Sequence, residues 1–209
     1  CIEGEINMSA FIGPIHYWLY GKIRLVNQRQ EYLREKVSEM CGSTAEELWE
    51  QVTQSYGEPL PEKDLGELIA HDNIHGWLQR QINLAESREA AFIKELTDTC
   101  GGAAEDLIGR TFVEHGKNTG EAAAASGRYD LESAAGILKA LNDHYLNGMP
   151  CDSGDCVMSI HQTNWQRTGV NEADMRAYYE QWLKGFVQGA NAKFAYKLDG
   201  ESHQITPSA

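Results

Sequence analysis

Ile15-His16-Tyr17-Trp18-Leu19 returns as Ile74-His75-Gly76-Trp77-Leu78, an offset of 59 residues. Held without a gap, that offset aligns Ile15–Gly57 with Ile74–Gly116 and gives 13 identities in 43 positions. Among them are His16/His75, Trp18/Trp77, Ile23/Ile82, Arg29/Arg88, Cys41/Cys100 and Gly42/Gly101. Self-similarity at a fixed spacing marks a duplicated supersecondary unit. The fold therefore turns on what one unit does and how two of them share a core.

Each unit reads as a long helix, a glycine stop and a second helix. His16, Leu19, Ile23, Val26, Gln30, Leu33 and Val37 alternate in steps of three and four, as one buried helix face does, and so do His75, Leu78, Ile82, Ala85, Glu89, Phe92 and Leu96. Gly42 and Gly101 suit the left-handed position just past a helix end. Ser43-Thr44-Ala45-Glu46-Glu47 holds capping-box patterns that restart a helix. Neither unit buries a full apolar stripe alone; paired about a pseudo-two-fold axis they form a helical bundle.

Gly57-Glu58-Pro59-Leu60-Pro61 separates the units, because proline cannot continue a helix. Lys117 to Gly127 is the counterpart break, either weakly structured or a helical extension. A helix follows from Leu131 to about Leu146. Cys156 to Thr163 reads as a strand. Asn171 caps a helix that runs through Tyr178, Trp182 and Phe186 to Gly189, with Gly185 and Gly189 as packing positions. Lys193–Leu198, Asp199-Gly200 and Ser202–Thr206 read as a hairpin. The expected fold is α+β, mostly α. It comprises an arm (1–13), two helical repeats (14–57 and 73–116), a linker and helix start (58–72) and a C-terminal α+β region (117–209), in one compact domain.

The 209 residues carry 18 basic and 31 acidic side chains, a formal net charge of −13. That balance argues against nucleic acid and against an anionic membrane surface. No stretch approaches the length of apolar sequence that spans a bilayer. Five cysteines, an odd and scattered set in a chain of this length, read as mostly free thiols of a reducing, cytoplasmic compartment. The start at Cys1 reads as a trimmed terminus rather than an acylated lipoprotein, because helical sequence follows too closely to leave a tether.

His16 and His75 open their helices on the core-facing stripe. Brought together by the two-fold they could bind a transition metal, or ligate a haem from opposite sides; alternatively, both anchor the fold by hydrogen bonds. Glu67, His71 and His75 are spaced i, i+4, i+8, a metal-binding ladder if one helix is continuous, whereas a cap at Asp72 or Asn73 would break it. Arg29 and Arg88, flanked by Trp18 and Trp77, could clamp a substrate carboxylate. They could equally pair with Glu31 or Glu89 and only brace the bundle, since Glu89 and Gln30 on the apolar stripe need partners such as Arg88 or Arg29 on the facing helix. Cys151 and Cys156, with His144 upstream and His161 downstream, could supply a nucleophile and base; a local disulfide or inert thiols is the plainer account.

Tyr178-Tyr179-Glu180-Gln181-Trp182-Leu183-Lys184-Gly185-Phe186-Val187-Gln188-Gly189-Ala190-Asn191, with the stretch from Asp155 to Trp165, resembles the end of the L-2-amino-thiazoline-4-carboxylate hydrolase-like family. The resemblance covers the last sixty or so residues and rests on glycine and aromatic positions; the duplicated region is not part of it. It implies a helical α+β protein that opens a small cyclic amidine by hydrolysis. The leading expectation is thus an enzyme that hydrolyses a C–N bond in a small anionic molecule, in a pocket between the repeats and the C-terminal region. The rivals are a metal- or haem-binding protein built on His16 and His75, and a non-catalytic module that binds a partner or forms a homodimer.

Overall fold

Pro14 at the first helical position and Gly13 at the cap begin helix α1, Pro14–Cys41, and the His16 ring reaches back to accept the Gly13 N–H. The computed structural model describes residues 12–146, 157–199 and 202–208. Gly42, at φ +58°, ends α1 and admits α2, Ser43–Tyr56. A linker and the single turn α3, Leu65–Leu68, lead to α4, Ile74–Cys100, which Asn73 caps by accepting the Gly76 N–H. Gly101, at φ +64°, repeats the stop, and α5 follows over Gly102–Ala125.

Equivalent residues of the two copies meet at both ends of α1 and α4. His16 Nε2 lies 3.2 Å from His75 Nε2, and Cys41 Sγ lies 2.9 Å from Cys100 Sγ. Like partners at start and finish require the two helices to run parallel, with the pseudo-two-fold axis along roughly 38 Å of their length. The expected buried stripes line this seam: Leu19, Ile23, Leu33 and Val37 from one copy, Leu78, Ile82, Phe92 and Leu96 from the other.

Of the two readings of Lys117 to Gly127 the helical extension holds: α5 continues to Ala125 and the chain turns at Gly127, φ +63°, with Gly116 and Gly120 as packing positions inside the helix. They face Gly185 and Gly189 of α8, Glu172–Ala190, so closely that a Cβ on Gly116 would sit 2.2 Å from the Trp182 carbonyl oxygen. Both glycine pairs advance together along the chain, so α5 and α8 also pack in parallel.

Helix α6, Ala134–His144, is capped by Ser133. The expected strand over Cys156–Thr163 is corrected: from Val157 the chain is helix α7, Val157–Thr168. Its Val, Met, Ser and Ile suit either structure, and burial of Asn164 and Trp165 against α4 and Tyr179 favours the helical period. Asn171 caps α8 as expected, accepting from the N–H groups of Ala173 and Asp174. Strands β1, Phe194–Asp199, and β2, Ser202–Pro207, form the antiparallel hairpin, with Asp199 opposite Ser202. The protein is α+β and mostly α. Among the described residues no helix is long and apolar enough to cross a membrane.

Candidate active site between α1 and α6

Helix α6 ends where it meets the start of α1, and a cleft of about 510 Å³ opens there, in the size range of small-molecule sites. Trp18 and His144, which the sequence places in separate roles, both line it. Asp143 joins them. One of its carboxylate oxygens accepts from Trp18 Nε1 and the other from the Tyr129 hydroxyl, each at 3.0 Å, so the carboxylate is held in a fixed orientation. Arg128 completes the rim, its guanidinium 5.5 Å from the centre of the Tyr129 ring. Beneath Trp18 the fully buried Lys22 places its ammonium 3.6 Å from the indole centroid. Burial pushes Lys22 down to about 8, against the pull of Asp143.

His144 has a defined tautomer. Its Nδ1 lies 2.7 Å from the Ala140 carbonyl oxygen, which can only accept, so the neutral ring carries its proton on Nδ1. The ring is half-buried between Tyr129 and Phe186, at centroid distances of 6.0 and 5.5 Å. In a second surface hollow, between α1 and residues 62–67, Arg24 pairs with Glu62, Tyr17 donates to Asp64 and Tyr20 donates to the Lys63 carbonyl.

The repeat histidines do meet, in an arrangement that favours a hydrogen bond over a metal. Because the Gly13 N–H donates to His16 Nδ1, at 2.9 Å, neutral His16 carries its proton on Nε2 and donates it to His75 Nε2. Burial, then the neighbouring His75, lowers the pKa of His16. A metal on His16 Nε2 needs Nδ1 as a donor, which the Gly13 cap opposes. Axial haem ligands stand about 4 Å apart, twice an ordinary metal–nitrogen bond, and the 3.2 Å here is too short for that sandwich. Among the described residues no three His, Cys, Asp or Glu side chains gather to hold a metal.

The proposed ladder of Glu67, His71 and His75 is broken as well. Helix α3 ends at Leu68, Asn73 starts α4 afresh, and His71 turns back to the Gly66 carbonyl.

Arg29 and Arg88 face inward. Arg29 forms a bidentate pair with Glu89 at 2.7 Å and 2.7 Å, and the Tyr179 hydroxyl donates to the same carboxylate. Its equivalent Arg88 donates to the side-chain oxygens of Gln30 and Asn27 and to the Gly57 carbonyl. These are the facing-helix partners that the polar residues on the stripe require. Both guanidiniums are buried away from the cleft, so the substrate-clamp role does not fit them. Burial would lower Arg29, but Glu89 outweighs it and holds the guanidinium above its usual range; Arg88, without a paired carboxylate, is pushed down to about 10. Trp77 packs against the apolar cluster of Leu19, Ile74 and Leu78 rather than lining the cleft.

Cys151 and Cys156 lie outside the described residues, and of His161 only its place in α7 is described. Sequence reasoning missed Asp143, Tyr129, Arg128 and Lys22. The signal for one of them was available: Lys22 stands one helical turn after Trp18 on the same face. No protein-family model, curated protein or solved structure matches this chain.

Proposed function

We propose that the chain is a small-molecule hydrolase whose active site is the cleft between α1 and α6, with His144 as the general base. The observation that carries the reading is His144, its Nδ1 held by the Ala140 carbonyl, lining a cleft beside a carboxylate locked by Trp18 and Tyr129. A base needs an oriented, unprotonated nitrogen within reach of water, and a half-buried imidazole with its other nitrogen engaged meets that need.

The charges suit a small cyclic amidine that bears a carboxylate, the substrate class implied by the C-terminal resemblance. Arg128 on the rim attracts the carboxylate, and Asp143 accepts from the amidine nitrogens. His144 removes a proton from water as the oxygen bonds to the amidine carbon. The C=N π pair moves onto the ring nitrogen, which takes that proton from His144. The new hydroxyl then gives up its own proton as the carbonyl forms, and His144 passes it to the same nitrogen as the C–N bond breaks.

The test is incubation with L-2-amino-thiazoline-4-carboxylate, reading the water-addition product by mass and binding by thermal shift. His144→Gln is expected to lose about 100-fold or more in turnover while retaining the ligand-induced shift. Arg128→Ala is expected to lose the shift. Unchanged turnover in His144→Gln, or no shift with the wild-type protein, overturns the reading.

A further inference from the structure

At the end of the α1–α4 seam remote from the histidines, the duplication sets two thiols face to face. Cys41 and Cys100 are the last residues of their helices, each followed by a glycine that stops the helix, and their sulfurs are 2.9 Å apart. Both are free and only half-buried, so a small oxidant can reach them. An S–S bond is near 2.05 Å, so each sulfur would need to move only about 0.4 Å to close it. The helices already hold the two side chains at like positions about the pseudo-two-fold axis, so closing the bond asks little of the backbone.

We propose that Cys41 and Cys100 are a dithiol site that closes reversibly into a disulfide joining the two repeats. The co-reactant is a low-molecular-weight disulfide such as oxidised glutathione. The thiolate of one cysteine attacks it, releasing one molecule of reduced thiol and leaving a mixed disulfide. The second cysteine then attacks the protein sulfur of that intermediate, forming the Cys41–Cys100 bond and releasing a second reduced thiol. Two electrons and two protons pass from the protein to the reagent.

The surroundings set the pace of this exchange. Burial, then the hydrogen bond to its partner, pushes the Cys41 thiol up to about 11, and thiolate is the attacking form. Closure is therefore slow at neutral pH and faster in mild base. Once formed, the bond ties residues 59 apart and restricts the unfolded chain far more than a local bridge would. The pair acts as a slow staple between the copies and not as a rapid sensor.

The experiment equilibrates the full chain with oxidised and reduced glutathione at about pH 9 and maps the cysteines by digestion and mass spectrometry. The expected product is a Cys41–Cys100 linked peptide pair lighter by two hydrogens, with a rise in Tm of about 10 °C that reductant reverses. Cys100→Ser and, separately, Cys41→Ala are expected to abolish the linked peptide and the rise. Peptide mapping of the unsubstituted chain decides the matter even where a variant folds poorly. Cys41 or Cys100 found mainly bound to glutathione or to another cysteine overturns the proposal. So does a linked pair that leaves Tm unchanged.

Discussion

Two parallel helix pairs hold this molecule together, and they are packed on opposite principles. Between α1 and α4 lie layers of side chains, apolar at Ile23, Ile82, Leu33 and Phe92 and polar in the middle, where Arg29 meets Glu89 and Arg88 meets Gln30. Between α5 and α8 the backbones touch. A Cβ at Gly120 would stand 2.1 Å from the Phe186 carbonyl oxygen, and one at Gly189 2.1 Å from that of Lys117. A side-chain seam can diverge copy by copy, because each residue finds its own partner; Gln30 and Glu89 occupy equivalent places with different charges. A backbone seam has no such freedom, since any side chain at those glycines forces the helices apart.

The largest effect is therefore expected in the glycine seam. Gly116→Val should destabilise the protein by more than about 4 kcal/mol, because the clash is with main-chain atoms that cannot rotate away. Val37→Leu in the other seam, with neighbouring side chains to absorb the change, should cost about 1 kcal/mol. Urea denaturation of the two variants tests the contrast, and equal midpoints would erase it.

Within the side-chain seam the two arginines sharpen the comparison. Arg29→Met strands the Glu89 carboxylate, which is only 1% exposed, and should cost about 3–5 kcal/mol. Adding Glu89→Leu should restore much of that, since the burden is the unpaired charge and not the lost contact. Arg88→Met removes hydrogen bonds to neutral groups only and should cost less, about 1–3 kcal/mol. A double-mutant cycle with no coupling between positions 29 and 89 would show that the pairing contributes nothing beyond its parts.

What could be read from the chain follows the same division. The repeat, the glycine stops, the meeting of the histidines and the need of Glu89 for an arginine all come from spacing within and between two copies, where register is inherited. The cleft does not. Trp18 and Asp143 are 125 residues apart, and their contact depends on which face of α6 docks against α1. The helical course of α7 was hidden because Val157-Met158-Ser159-Ile160 fits either period, and burial of Trp165 favours one of them. The extension of α5 stayed open between helix and loose structure, because the repeat sets Gly116 opposite the linker glycine Gly57, although Gly116 and Gly120 already stood in the four-residue spacing of a close helix contact.

A smaller effect than that of the Arg29–Glu89 pair tests the join between the two helix pairs. His115 lies on α5 against α8, where Trp182 Nε1 donates to its Nδ1 at 2.9 Å; Tyr32 of α1 lies 6.1 Å away, ring to ring, and the Arg29 charge is near. Burial first, then Arg29, pushes its pKa down to about 3. In the unfolded chain it titrates near 6.5, so between those values the unfolded state takes up a proton that the native state refuses, and stability falls as pH falls through that window. The loss at pH 5 should be about 2 kcal/mol relative to pH 7. His115→Gln removes the titrating group, while the surface carboxylates that also respond to acid stay the same in both proteins. Unfolding free energies from urea titrations at the two pH values should differ less in the variant by about that amount. An identical pH response in both proteins would mean that His115 accepts its proton without unfolding, and that the contact between α5 and α8 is looser around this ring than at the glycines.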